Sequence, residues 1–169
     1  MRKILVLFIF FAGFVLPGYA EEQATDTDIL TLEWLDLIPE QERNVLGGMG
    51  QPVPLNHSGD APAQSTIGSV RPELNGSTVK IAGFVIPLEG DDKTVTEFLL
   101  VPFLGACIHV PPPPPNQIIY VRFKDGAPIQ QLWDVVYIIG TLKTEAVSHD
   151  LAEVGYVIEG TALEEYEEY

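Results

Sequence analysis

Two residues of the sequence, Cys107 and His109, have the side chains and the spacing for metal chemistry. They lie two positions apart, between Gly105 and a run of prolines at 111–115. In an extended chain, residues i and i+2 point to the same side, so the thiol and the imidazole are expected to project together. Because thiolate and imidazole are good ligands for zinc and copper, the spacing predicts a transition-metal site, most simply for zinc.

The residues around this pair are expected to hold it in a stiff loop. Val110 precedes a proline, which favours extended dihedral angles, and the five prolines favour a rigid left-handed rod without backbone donors. The two amide side chains after the run are expected to hydrogen-bond backbone groups that the prolines leave unpaired. The candidate loop residues are Gly105, Pro111, Pro112, Pro113, Pro114, Pro115, Asn116 and Gln117.

Two protein ligands are fewer than the four of a structural zinc site, so further ligands would have to come from elsewhere. A turn that contains Glu89, Asp91 and Asp92 could approach with carboxylates. His57 and His149 are separate in the sequence and are expected to be solvated. With two or three protein ligands the site would be open, and suited to handing on or sensing an ion rather than to locking the fold.

Cys107 is the one cysteine of the 169-residue chain, so no internal disulfide can form. A lone thiol in an exported protein is either buried and inert, or kept for metal ligation, nucleophilic attack or a bond to another protein. One alternative function is therefore a thiol enzyme or redox carrier, in which His109 lowers the pKa of the thiol. Another is an interaction module that docks on a membrane permease through the proline loop. We expect a binding protein rather than an enzyme.

Residues 1–20 are typical of a secretory signal peptide. Arg2 and Lys3 precede the apolar run Ile4–Phe14, and small residues mark a cleavage position after Ala20. We therefore expect a periplasmic protein, with an N-terminal membrane anchor as the alternative because the run could just cross a bilayer. The sequence has no later apolar run long enough to span a membrane, and no cysteine near residue 20 to carry a lipid.

The composition is strongly acidic, with 24 Asp and Glu against 9 Lys and Arg. Loss of Arg2 and Lys3 with the signal would leave 7 basic side chains and a net charge of −17. Nucleic acids and anionic membrane surfaces would be repelled by this charge, which argues against both as partners. An apolar fraction of 46% argues against wholesale disorder.

The elements that must position the motif are predicted to be strands in the second half of the chain. We expect a segment 21–77 with a short helix after Pro39 and a flexible Pro/Gly-rich connection, a β domain 78–163, and an acidic tail 164–169. The predicted strands are Val79–Leu88, Glu97–Leu104, Gln117–Phe123, Leu132–Leu142 and Tyr156–Leu163. A helix-like stretch covers Thr144–Glu153. Five closely spaced strands favour a small antiparallel barrel of the oligonucleotide-binding type, with a β-sandwich as the alternative.

The motif Gly105-x-Cys107-x-His109, followed by the prolines and Asn116-Gln117, resembles the hallmark of a bacterial family of exported proteins. It is a domain-of-unknown-function family whose members are often labelled lipoproteins, although this chain lacks the lipoprotein cysteine. The resemblance runs from about Leu32 to Leu163 and includes Trp34–Pro39, Gly83–Leu88, Glu97–Pro102, Trp133 and Gly140–Leu142. It implies an accessory of an ATP-binding-cassette transport system with a permease, and some such systems are zinc-responsive.

Overall fold

The computed structural model describes residues 28–46, 64–65, 67–91, 93–106, 112–128 and 135–166. Within these ranges the strands are β1 (Leu30–Leu32), β2 (Thr78–Gly90), β3 (Thr94–Val101), β4 (Ile119–Pro128), β5 (Val135–Lys143), β6 (Val147–His149), β7 (Ala152–Val154) and β8 (Tyr156–Glu165). The helix α1 is Glu40–Leu46, and 3-10 turns cover Trp34–Leu37, Pro72–Leu74 and Pro115–Gln117. The predicted short helix after Pro39 is confirmed. The predicted signal peptide 1–20 lies outside the described residues.

Five strands close into a barrel in the order β2, β3, β4, β8, β5 and back to β2. The second half of β2 pairs with β3, and its first half pairs with β5. All five contacts are antiparallel except that between β4 and β8, which is parallel. Closure satisfies the backbone groups that an open sheet would leave at its edges. The predicted five-stranded barrel is therefore confirmed, with one parallel pair and with β1 added beside the start of β2.

Alternation along the strands divides their side chains between the barrel interior and its outer face. The tyrosine at the start of β8, Tyr156, points inward and ties one end of the barrel to the N-terminal segment. Its hydroxyl donates to the carbonyl oxygen of Leu37 (2.8 Å) and accepts from the amide nitrogen of Arg71 (2.6 Å). The interior includes Ile81, Val85, Phe98, Leu100, Val121, Ile138 and Ile158. Complete burial of each such side chain stabilises the fold by about 1.5–3 kcal/mol.

A second apolar layer covers the outer face of β3 and β4. It consists of Ile86, Leu99, Val101, Ala106, Ile118, Tyr120, Ala152, Val154 and Val157. The hairpin β6–β7 forms part of this layer, so the expected helix-like structure of Thr144–Glu153 is wrong. In the structure Val147 and His149 are half-buried and Ser148 is exposed, because successive side chains of a strand point to opposite faces.

Several strand boundaries differ from their predicted positions; β4, for example, is Ile119–Pro128 rather than Gln117–Phe123. Strand β3 begins at Thr94 and ends at Val101, because the proline that follows has no amide donor for the sheet. Strand β8 continues to Glu165, since Glu164 and Glu165 pair with β5. Within the described ranges, no helix has the length and apolar character that crossing a membrane requires.

Candidate functional site

The structure describes the chain on both sides of the predicted metal ligands. Cys107 and His109 themselves lie outside the described residues. The preceding segment Phe103–Ala106 and the following segment Pro112–Gln117 are described. Other sequence candidates also outside the described residues are His57, Asp92, Pro111 and Trp133.

The segment before the motif is a tight turn that ends in a buried residue. The amide nitrogen of Ala106 donates to the carbonyl oxygen of Phe103 (3.4 Å), and Gly105 has a φ of +85°. A positive φ at the third residue of a four-residue turn is the feature of a type II turn, and glycine adopts it without strain. Ala106 is 0% exposed and belongs to the second apolar layer. The turn thus directs the chain into that layer immediately before Cys107.

The segment after the motif changes from an extended chain to a 3-10 turn. Pro113 is buried, and its carbonyl oxygen accepts from the Nε2 of Gln64 (2.7 Å). Pro114 has φ −54° and ψ 153°, close to the left-handed extended conformation that the proline run predicts. The amide nitrogen of Gln117 then donates to the carbonyl oxygen of Pro114 (2.8 Å), which closes the turn. Within the described residues, the extended conformation therefore ends at Pro114.

Two glycines from distant parts of the chain hold Pro115 in place. The amide nitrogen of Gly155 donates to the carbonyl oxygen of Pro115 (2.7 Å). A Cβ atom on Gly155 would lie 3.0 Å from that oxygen and 2.9 Å from a methyl group of Val70. A Cβ atom on Gly68 would lie 2.7 Å from the Cδ of Pro115. Both positions therefore require glycine for close packing against the proline.

Strand β7 is bonded to the segment after the motif through Gln64, and it shares an apolar layer with the segment before the motif. Ala106, in the segment before the motif, belongs to the same apolar layer as Ala152 of β7. After the motif, Gln64 links Pro113 to β7. Its Nε2, which donates to Pro113, also donates to the carbonyl oxygen of Glu153 (2.8 Å), and its Oε1 accepts from the amide nitrogen of Glu153 (2.7 Å). Sequence reasoning missed Gln64, because nothing local distinguishes it from other polar residues of its Pro/Gly-rich segment.

The amide side chains after the prolines donate to backbone carbonyls. The Nδ2 of Asn116 donates to the carbonyl oxygen of Ser69 (2.9 Å), and the Nε2 of Gln117 donates to that of Trp34 (2.9 Å). Asn116 is 0% exposed, and its Oδ1 has no hydrogen-bond donor among the described residues. These bonds attach the 3-10 turn to the N-terminal segment of the chain.

His149 lies on the inner face of the hairpin β6–β7. Its ring packs beside that of Tyr120, with 6.4 Å between the ring centres, and its Nδ1 accepts from the amide nitrogen of Leu151 (3.2 Å). It is therefore partly buried, whereas sequence reasoning expected it to be solvated. The hydroxyl of Tyr120 donates to Glu97, and the guanidinium carbon of Arg122 lies 5.0 Å from its ring centre. Burial, followed by the bond to Glu97, raises the pKa of Tyr120 to about 12.

The carboxylates of the β2–β3 turn are used by the turn itself. The Oδ1 of Asp91 accepts from the amide nitrogens of Lys93 and Thr94, both at 2.8 Å, and these bonds hold the pKa of Asp91 below its ordinary value. Glu89 and Asp91 also line an open groove of about 500 Å³. In the part of the chain that the structure describes, no three His, Cys, Asp or Glu side chains lie together as a metal site would require.

Comparison with known proteins gives a family but no activity. The model of the family described as "Protein of unknown function (DUF3299)" matches residues 34–165. The crystal structure of a DUF3299 family protein from Pseudomonas aeruginosa PAO1 is similar, with a TM-score of 0.66 and 35% sequence identity. The similarity covers 83% of this chain and 98% of that chain. No curated protein matches the sequence. The chain belongs to the DUF3299 family of proteins of unknown function.

Proposed function

We propose that this protein is a periplasmic accessory of an ATP-binding-cassette transport or envelope system, and that it binds a transition metal, most simply zinc, through Cys107 and His109. The observation that carries the proposal is that the chain is held on both sides of this pair: Ala106 is buried in the second apolar layer, and Pro113 is linked to β7 through Gln64. A loop fastened at both ends loses less conformational entropy when its side chains bind a ligand. Metal ligands in particular must be held close to their productive geometry.

The proposed site is open rather than a closed structural site. Two protein ligands leave coordination positions for water or for a ligand from a partner, so the ion can be exchanged. This suits a protein that receives and hands on an ion. The net charge of −17 expected for the mature chain would raise the local concentration of cations around it.

His149 is a candidate for a third ligand. Consecutive Cα atoms are about 3.8 Å apart, so the backbone of Cys107 starts next to Ala106. Ala106 belongs to the same apolar layer as Ala152, which pairs with His149 across the hairpin. If the Nε2 of His149 binds the metal, the proton of the neutral imidazole is on Nδ1. Nδ1 can then no longer accept the hydrogen bond from the amide of Leu151, so metal binding would break that bond.

A titration with Co²⁺ tests the proposed site, because thiolate ligation produces a charge-transfer absorbance that zinc does not show. We expect Cys107→Ser to abolish this band and His109→Ala to weaken Co²⁺ binding by about tenfold or more. His57→Ala is the matched control, since it removes an imidazole from another part of the chain. Equal Co²⁺ affinity of the native protein and the double variant Cys107→Ala, His109→Ala would disprove the proposal.

Alkylation of the thiol separates metal binding from the thiol-enzyme alternative. Zinc bound to Cys107 should protect it from iodoacetamide at neutral pH, and removal of zinc with a chelator should restore the reaction. An activated catalytic thiol would, in the zinc-free protein, react much faster than an ordinary thiol such as free cysteine. Equal, rapid reaction in both conditions would favour the enzyme.

A further inference from the structure

Two consecutive large apolar side chains are exposed at the turn before the motif. Phe103 is 46% exposed and Leu104 is 61% exposed. They occupy the first two positions of the type II turn that ends at Ala106. Polar residues or proline are usual at such turn positions, and a leucine at the tip contributes little to the barrel core. The exposure of this pair therefore calls for an explanation outside the fold of the isolated chain.

The turn presents these side chains rigidly. Val101 and Ala106, on its two sides, are almost completely buried in the second apolar layer. Pro102 fixes one backbone dihedral angle between Val101 and the turn. A pre-ordered apolar tip loses little entropy on binding, which is a property of residues that dominate the binding energy at interfaces.

A second apolar tip arises from the same layer. Leu151, in the turn of the hairpin β6–β7, is 39% exposed and is followed by the buried Ala152. Ala152 and Ala106 belong to the same layer, so each exposed tip is connected to it through a buried alanine. Each of the two turns thus exposes an apolar side chain, and both turns are attached to the second apolar layer.

The charges of the described residues indicate which partner suits these apolar tips. Asp150 and Glu153, on either side of Leu151 and Ala152, are exposed. Five basic side chains are already paired with carboxylates, namely Arg43, Arg71, Lys80, Arg122 and Lys143. The remaining charge of the chain is strongly negative. Acidic side chains beside the Leu151 tip, on a chain with a large negative net charge, attract a basic partner and repel an anionic one.

We propose that Phe103 and Leu104, assisted by Leu151, dock this protein on an apolar protein surface that is bordered by lysine or arginine side chains. The docking does not depend on a metal at Cys107 and His109. It also differs from docking through the proline run, because Pro113 is buried in the fold.

A labelled helical peptide with one leucine face and one lysine face serves as a defined probe, and its fluorescence anisotropy reports binding. We expect the double variant Phe103→Ser, Leu104→Ser to raise the Kd for this peptide by about tenfold or more. Leu35→Ser is the matched control, since Leu35 is 58% exposed on a 3-10 turn at the N-terminal end. Its Kd should equal that of the native protein. All three proteins should unfold at similar temperatures, because the changed side chains are exposed.

Three results would overturn the proposal. The first is that the native protein does not bind the peptide, and the second is that the double variant binds it as tightly as the native protein does. The third is that Leu35→Ser weakens binding as much as the double variant does. A second experiment uses vesicles of zwitterionic phosphatidylcholine. If these vesicles bind the native protein through Phe103 and Leu104 and the peptide does not, the surface recognises lipid and the protein-docking proposal is wrong.

Discussion

The amide nitrogen of Gly155 lies 2.7 Å from the carbonyl oxygen of Pro115, and this hydrogen bond joins the end of the proline run to the residue after β7. The two residues are 40 positions apart in the sequence. Together with the bridge through Gln64, this bond attaches the segment after the candidate metal ligands to the short hairpin β6–β7. The hairpin therefore holds the end of the proline run, in addition to covering the outer face of the barrel.

Gly155→Ala should weaken both the fold and the proposed metal site. The new methyl group would press on Val70 and on the carbonyl of Pro115, and such overpacking costs about 1–3 kcal/mol of the free energy of unfolding. Denaturant unfolding and Co²⁺ titration measure the two effects. Gly76→Ala is the control: Gly76 has a φ of +84° with nothing near its Cβ position, so the substitution strains the backbone away from the motif. A loss of Co²⁺ affinity in both variants would show only a general effect of instability.

Gln64→Ala should release Pro113, in the segment after the motif, from β7. The substitution removes three hydrogen bonds, and we expect the free energy of unfolding to fall by about 1–3 kcal/mol. Co²⁺ affinity should fall by about tenfold, because the ligands are held less firmly. Asn75→Ala is a suitable comparison, since the Oδ1 of Asn75 accepts from the amide of Thr144 (3.0 Å), away from the motif. Unchanged Co²⁺ affinity in Gln64→Ala would contradict the role of β7 as an anchor.

The ionisation of Tyr120 should reduce stability at high pH. Its folded pKa, about 12, is above the ordinary value of 10, mainly because the phenol is buried and then because it donates to Glu97. The contribution of Tyr120 to stability is thus fully present below pH 10 and is lost as the pH rises through 12. Denaturant unfolding across this range should show a shallower fall for Tyr120→Phe than for the native protein. Part of the fall should remain, because burial also raises the pKa of Tyr156. Identical pH profiles would refute the assignment.

Export predicts a defined N-terminus for the mature protein. Cleavage after Ala20 should give a chain that begins at Glu21 and is recovered from the periplasm, which mass spectrometry of that fraction can establish. Ala20→Arg should block cleavage and leave the precursor in the membrane fraction. Recovery of the uncleaved native chain from membranes would instead support an N-terminal anchor.

The strands of the barrel were predictable because they are rich in β-branched and aromatic residues and are separated by turn residues. In β5, the run Val135–Ile139 is entirely apolar, which favours a strand, and the structure adds that Val136 and Ile138 point inward while Tyr137 lies outside. The hairpin β6–β7 was missed because each of its strands has three residues, too few for a clear period. The parallel pairing of β4 with β8 was also missed, since pairing between distant strands leaves no local pattern.

The amino-acid sequence by itself determined the identities and spacing of Cys107 and His109, the stiffness of the prolines and the β-branched and aromatic runs that form the strands. These properties are local, because covalent geometry and side-chain periodicity act over a few residues. Only the tertiary structure decided that the segment before the motif is buried in the second apolar layer and that the segment after it is bonded to β7 through Gln64. Gln64 and Glu153, which make one of these connections, are separated by 89 positions. They meet because the closed barrel brings the β6–β7 hairpin against its outer face, and closure depends on the packing of the whole core.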